Sequence, residues 1–213
     1  YVAVAPSNLL HHADPAWNLD TLCAARAQAG HTPAQVSIEW IDRAYAGADT
    51  PARLRAFAQD AHLNWGTRFL LLVGTHDLIP TRKFYISFKE FFTDRTDEIP
   101  ADALYYGCMD GPFDQNGNGR YGELNDGPNG GDVDLTAEVL VGRFPVANAA
   151  ELASLVRKTL RYESAAPADL RPLAFIAEKM DLGTLVYADG YMEELRHGSG
   201  SYSLDALGAK NSP

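Results

Sequence analysis

The sequence predicts an α/β domain built on a mainly parallel sheet flanked by helices. Three observations point there. Short apolar runs of strand length alternate with longer runs of helical period, the order expected when helices cross between parallel strands. One of the strand-like runs, "FLLLVG" at 69–74, is apolar at every position before its glycine, as a strand covered on both faces would be. The one long stretch with neither period, 109–134, is almost entirely Gly, Asn, Asp and Pro and reads as a long acidic loop inserted at one edge of the sheet. At 213 residues, 46% of them hydrophobic, the chain suits one medium domain or two small ones with a real core.

Each element has its own signal. "YVAVAP" (1–6) alternates and stops at proline, a strand. "DPAWNLDTLCAARAQAG" (14–30) reads as a helix, with Asp14 as N-cap, Pro15 in the first turn and Gly30 at the C-terminal cap. "AQVSIEW" (34–40) places Val36, Ile38 and Trp40 on one face of a strand. "TPARLRAFAQDAHLNWG" (50–66) is the clearest helix: Thr50 caps, Pro51 follows, Gly66 ends it, and Leu54, Phe57, Ala58, Ala61 and Trp65 form one apolar stripe. Strands are expected at 68–74, 82–88 and 137–146. "NAAELASLVRKTLRYE" (148–163) is a helix whose Asn148 and Glu151 have capping-box spacing. A further strand is expected at 172–178, a helix at 185–196, and a loosely structured tail after it.

Charge narrows the function classes. With 18 Lys and Arg against 28 Asp and Glu, the net charge is −10, and no basic stripe interrupts it. Nucleic acid and anionic membrane are excluded as partners on that ground. No apolar run approaches the ~18 residues of a membrane span. The opening "YVAVAP" lacks a Met and a signal peptide, so the chain reads as a processed product or an excised piece. Two cysteines, Cys23 and Cys108, make neither a disulfide framework nor a zinc ligand set.

The densest chemistry is "DQNGNGRYGE" (114–123). Asp114, Asn116 and Asn118 stand at positions 1, 3 and 5 of a cation-loop pattern, Gly119 at the sharp-turn position 6, and the Arg120 carbonyl at position 7. Position 12, normally an acid, is Asn125; Glu123 and Asp126 flank it and can supply the missing carboxylate, with Asp110 and Asp132 nearby. Calcium is the cation such oxygens suit, and two Asn ligands imply weak affinity of the kind that millimolar extracellular calcium satisfies. The alternative is a chain of Asn-Gly and Asp-Gly turns without an ion.

Taken in order, "LLLVGTHDLIP" (70–80), "YYGCMDGPFDQNGNGRYGE" (105–123) and "EVLVGRFPVANAAELASLVRKTLRYE" (138–163) resemble the gingipain-like cysteine peptidases, peptidase C25. The likeness covers about residues 1–178. It implies a caspase-like fold in which 1–178 is the N-terminal α/β subdomain of the peptidase unit. Residues 179–213 match poorly and would be the start of the catalytic half. In the family the His and Cys of the dyad belong to that second half, so this chain would supply none of the catalytic residues. The implied partners are the catalytic half of the same precursor and protein or peptide substrates, in a secreted or cell-surface setting.

The residues themselves agree with a non-catalytic half. Cys108 in "YYGCMDG" is not at the family's nucleophile position, and Cys23 lies on the apolar side of a helix. "HGSG" (197–200) looks like the family's His-Gly-Ser, yet His197 follows a helical pattern and no Cys comes after it. His76 and Asp77 follow the 69–74 strand, where α/β proteins place ligands; they shape a cleft or form an ordinary turn. His11, His12, His31 and His62 show no ligand pattern. Arg143, between an apolar strand and Pro145, needs a partner, either an acid of the loop or a backbone turn. Two function classes follow. One is the supporting half of a cysteine endopeptidase; the other is a calcium-stabilised α/β binding or structural module. A phosphatase using Asp110 or Asp114 with magnesium is disfavoured, because those acids do not end an apolar strand.

Overall fold

The computed structural model describes residues 1–10, 16–90, 93–123, 126–127, 136–166, 179–181 and 185–187. The chain divides into two compact units, Tyr1–Ser164 and Ala165–Pro213. In the first, β1 (Val2–Ala5) is followed by the one-turn α1 (Ser7–Leu10), α2 (Leu19–Gln28), β2 (Ala34–Ser37), α3 (Ile38–Ala44), α4 (Thr50–Trp65) and β3 (Phe69–Val73). Then come β4 (Lys83–Glu90), β5 (Thr93–Pro100), the short α5 (Asp102–Tyr105), β6 (Leu140–Phe144) and α6 (Ala149–Glu163). The second unit contributes an antiparallel pair, β7 (Lys179–Asp181) and β8 (Leu185–Tyr187).

The expected parallel sheet is present, with order β2-β1-β3-β6 and every pair parallel. Strand alternation sorts its side chains into two cores. Val2, Val4, Leu70 and Leu72 face α3 and α4 through Ile38, Ile41, Leu54 and Phe57. Ala3, Ala5, Leu71 and Val73 face α2 and α6 through Leu19, Leu22, Leu152 and Val156. The central strand β1 is buried along its whole length, which its alanines permit by letting helices approach closely. A bidentate ion pair ties the two helices of the second face, Arg26 Nη2 to Glu163 Oε1 at 2.7 Å and Nη1 to Oε2 at 2.8 Å.

The path from β1 to β2 crosses on the α2 face; the path from β2 to β3 runs in the opposite direction on the α3–α4 face. Opposite direction on opposite faces gives the two connections one hand, and such connections are right-handed in about 98% of cases.

Several boundaries differ from the sequence expectation. The first long helix begins at Leu19, where Asn18 accepts from Thr21 N at 2.9 Å; Asp14 and Pro15 lie outside the described residues. Ile38 and Trp40 are helical, since Ser37 accepts from Trp40 N at 3.1 Å and starts α3 instead of prolonging β2. Asp49, not Thr50, caps α4, accepting from Ala52 N at 2.9 Å. β4 pairs antiparallel with β5, an unexpected strand of sequence TDRTDEIP. Leu185–Tyr187, expected to be helical, are extended. The expected strand at 172–178, the rest of the expected helix at 185–196 and the tail lie outside the described residues.

The polar pairs also set an expected pH response. The Tyr45 hydroxyl donates to Asp60 at 2.5 Å. Burial, followed by that hydrogen bond, pushes Tyr45 up to about 12, and the same bond lowers Asp60. A raised folded value means the contribution is full below the unfolded Tyr value of ~10 and is lost as pH rises through the folded one. Urea titrations of wild type and Tyr45→Phe should therefore differ by a constant amount between about pH 5 and pH 9, converge toward a pH of about 12, and also converge in acid as Asp60 is protonated. A gap that persists unchanged at high pH would contradict the assignment.

Candidate functional site

The described part of the acidic loop is rooted in the first core by a buried arginine. Arg55 of α4, 8% exposed, donates through Nε to Tyr105 O (2.9 Å) and through Nη2 to the carbonyls of Cys108 (3.0 Å), Asp110 (2.8 Å) and Gly111 (2.9 Å). Its guanidinium also lies 5.0 Å from the Phe113 ring centroid. Phe113 is fully buried and takes a left-handed backbone, φ 60°, a conformation that costs a non-glycine residue free energy. Its carbonyl accepts from Gly122 N at 2.7 Å, closing the base of a loop whose body is residues 114–121. Gly122 is required there: a Cβ would stand 2.6 Å from Phe84 Cγ. Next to it Tyr121 O accepts from Tyr85 N at 2.7 Å, so the loop is laced to β4. Arg82 lies over Tyr121, 3.8 Å to the ring centroid, and pairs with Asp49 at 2.7 Å.

Within that frame the predicted ligands occupy one hydrogen-bonded turn. Asp114 accepts from Asn118 N through Oδ1 and from Gly119 N through Oδ2, both at 3.0 Å. Asn116 Oδ1 accepts from Asn118 N at 2.9 Å, and Asn118 Oδ1 from Arg120 N at 2.8 Å. Glu123 Oε2 accepts from Asn118 Nδ2 at 2.8 Å, and its Oε1 lies 3.8 Å from Arg120 Nη1. Asp126, 4% exposed, accepts from Asn116 N at 3.1 Å and from Gly127 N at 3.0 Å. The loop thus brings all six predicted residues into one network. Each oxygen of Asp114 accepts one backbone N–H, and a carboxylate oxygen has two lone pairs. The donor set therefore fits a hard, oxygen-seeking cation. Among the described residues no three carboxylate, imidazole or thiol groups gather closely enough to hold an ion by themselves, so an ion here would depend on amide and main-chain oxygens. Asn125 and Asp132 lie outside the described residues.

A second polar cluster stands at the carboxyl end of the sheet. Arg143, at the end of β6, donates from Nε to Asp102 Oδ2 at 2.6 Å and from Nη1 to Gly74 O (2.8 Å) and Ile79 O (3.0 Å). The sequence alternatives for Arg143 were a loop acid or a backbone turn. The structure gives the turn at 74–79, together with an acid that belongs to α5. Asp102 also accepts from Thr81 Oγ1, and His76 Nε2 is 4.0 Å from Asp102 Oδ2 with half its side chain exposed. Gly74 sits where the turn is tightest, with φ 150° and Leu78 Cβ only 3.0 Å from where a Cβ would stand. Neither Asp102 nor Arg55 was singled out from sequence. The available signal for Arg55 was its place beside Leu54 in an otherwise apolar stripe.

Both thiols are buried. Cys108 is 0% exposed inside the first core, and Cys23 is 7% exposed inside α2. Burial pushes the Cys23 thiol up, with Asp20 adding to the effect, the opposite of what a nucleophile needs. His62 Nδ1 contacts Thr67 O at 3.1 Å in a helix-end role. His11, His12 and His197 lie outside the described residues. No helix of the described residues is long and apolar enough to cross a membrane.

Among curated proteins nothing matches this chain. Several solved structures are similar to it. One is described only as a protease: 22% identity, 80% of this chain, 29% of that chain, TM-score 0.48. A complex of the pro- and mature domains of RgpB from Porphyromonas gingivalis gives 17% identity, 76% of this chain, 28% of that one and a TM-score of 0.43. Dimeric latent PorU from the same organism gives 22%, 91%, 18% and 0.48. This chain spans less than a third of each of those chains. The family model described as "Peptidase family C25" matches residues 1–208. The chain belongs to peptidase family C25.

Proposed function

We propose that this chain is the N-terminal supporting part of a gingipain-like cysteine endopeptidase, with residues 1–178 as its α/β subdomain and the catalytic half outside these 213 residues. One observation carries the reading. A cysteine peptidase needs a thiolate within reach of a base and of substrate, and the only two cysteines in these 213 residues, Cys23 and Cys108, are both buried. The chain's own contribution is scaffolding: a rigid sheet whose carboxyl end presents the Gly74–Ile79 turn, locked by Arg143 and Asp102. The catalytic half of the same precursor is its partner, and protein or peptide is the substrate. The test compares the 213-residue chain with the full-length gene product on a denatured protein substrate. Hydrolysis by the full-length product alone, blocked by a thiol alkylator, is expected. Thiol-dependent hydrolysis by the 213-residue chain would overturn the reading.

In the same reading, the 114–126 loop holds calcium through Asp114, Asn116, Asn118, the Arg120 carbonyl, Glu123 and Asp126. The ion would supply a fixed positive charge that draws these oxygens together, in the secreted or cell-surface setting where calcium is abundant. The hydrogen-bonded convergence of the six residues supports this. At ~100 times its Kd, calcium should raise stability by about 2.7 kcal/mol, read as a thermal shift that Asp114→Ala removes. Titration calorimetry without heat, together with an unmoved melting curve, would exclude calcium and leave a plain turn. A non-catalytic binding module has no observation that favours it over the peptidase part.

A further inference from the structure

The loop between Phe113 and Gly122 carries a reactive dipeptide twice. Asn116–Gly117 and Asn118–Gly119 stand in tandem, and all four residues are exposed. Asparagine before glycine is open to attack by the next main-chain nitrogen on its own side-chain carbonyl carbon, because glycine has no Cβ to obstruct the approach. Nothing stands within 4 Å of where a Cβ would be at Gly117 or at Gly119, so neither pair is crowded. By sequence the two pairs are equally reactive; the structure separates them. Three groups take part in the attack: the N–H that becomes the nucleophile, the carbonyl oxygen that gathers charge, and the nitrogen that leaves. Around Asn118 all three are held. Gly119 N donates to Asp114 Oδ2 at 3.0 Å, Asn118 Oδ1 accepts from Arg120 N at 2.8 Å, and Asn118 Nδ2 donates to Glu123 Oε2 at 2.8 Å. The bond from Gly119 N is the decisive one. It is charge-assisted, it must break before the nitrogen can turn to the side chain, and a nitrogen that has shed its proton would face the Asp114 charge. Around Asn116 the nucleophile is nearly free: Gly117 N reaches only the main-chain carbonyl of Asp114, at 3.4 Å, past the usual range for such a bond. Asn116 Nδ2 finds no acceptor among the described residues. Its Oδ1 still accepts from Asn118 N at 2.9 Å, a donor already in place for an oxygen that becomes negative. Asn116 therefore keeps the assisting bond and lacks the restraining ones.

We propose that Asn116 is a site of spontaneous deamidation, and that Asp114 and Glu123 protect Asn118 from the same reaction. Gly117 N gives its proton to solvent base and bonds to Asn116 Cγ. The Cγ–Nδ2 bond breaks, and the nitrogen leaves as ammonia with a proton drawn from water. The five-membered imide then takes up one water and opens at either carbonyl, leaving an aspartyl or an isoaspartyl residue at 116. Nothing is oxidised or reduced, and solvent is the only other reactant. Either product adds a negative charge beside Asp126, which accepts from Asn116 N at 3.1 Å. The isoaspartyl product also lengthens the main chain by one carbon, which displaces the bonds that Asn118 N and Gly119 N make to Asp114. The loop thus changes its charge and its hydrogen bonding with age. No cation enters the step, so it is tested without one.

The 213-residue chain is aged folded, in neutral buffer with a chelator, and a second sample is aged in guanidinium chloride to give the rates without the fold. Peptide mapping with mass spectrometry reads each site, and chromatographic retention resolves isoaspartyl from aspartyl product. In the folded chain Asn116 should convert at least ~10-fold faster than Asn118, the size of effect that one bond to a charged group supplies. In guanidinium chloride the two should convert at similar rates. Asp114→Ala frees Gly119 N and should bring Asn118 toward its unfolded rate. Circular dichroism checks that the variant is folded, and the wild-type comparison decides if it is not. Comparable rates at the two sites in the folded chain, or no conversion of Asn116 over a period in which the unfolded sample converts it, overturn the inference. So does a folded Asp114→Ala variant whose Asn118 stays as slow as in wild type.

Discussion

Replacing Arg55 by methionine should cost about 4 kcal/mol of folding stability, most of a marginal domain's reserve. Methionine keeps much of the apolar stem, so the loss isolates the guanidinium. Four carbonyls, those of Tyr105, Cys108, Asp110 and Gly111, lose a charged donor at once, and charge-assisted bonds are the stronger kind. The rings of Tyr105 and Phe113 lose the cation lying over them, at 5.4 and 5.0 Å. Arg55→Lys should rescue little, because an ammonium cannot span four acceptors arranged around a planar fork. Urea denaturation gives both values. A loss under about 1 kcal/mol for the methionine variant, within the range of ordinary point changes, would mean the carbonyls find other donors and the loop is not rooted here.

Removing the guanidinium of Arg143 should have the next largest effect, about 3 kcal/mol for Arg143→Met. Asp102, only 17% exposed at its side chain, would lose its cation while staying largely out of water. The carbonyls of Gly74 and Ile79 would lose their donor and loosen the turn after β3. A double-mutant cycle with Asp102→Asn separates these contributions. The coupling should be about 1–3 kcal/mol, with the rest of the loss assigned to the turn carbonyls. Coupling near zero would contradict the ion pair as the source of the effect.

The backbone frame was legible where one physical cause dominates. β1 and β3 announce themselves by apolar runs that a covered parallel strand tolerates. α4 and α6 announce themselves by a wide apolar stripe with a defined start, and Asn148 does accept from Glu151 N at 3.0 Å as its spacing implied. The misreadings have equally specific causes. Val36, Ile38 and Trp40 alternate, but Ser37 caps a helix in which Ile38 and Ile41 are the buried pair. β5 has no alternation to see, because residues 95–100 are exposed and the strand is made by pairing with β4 alone. The acidic loop was visible as a local pattern, since its residues are neighbours in sequence. Its anchors were not: Arg55 is 50 to 56 positions from the carbonyls it binds, and main-chain acceptors leave no mark on residue identity. Asp102 is likewise 41 positions from Arg143.

In the proposed function this member of family C25 supplies structure and no nucleophile. Alkylation of the native 213-residue chain with iodoacetamide, read by intact mass and peptide mapping, tests it most directly. Both thiols are core groups, so neither Cys23 nor Cys108 should carry an adduct until urea unfolds the chain, after which both should react. Rapid modification of Cys108 alone in the folded protein would contradict the claim and mark that thiol as reactive.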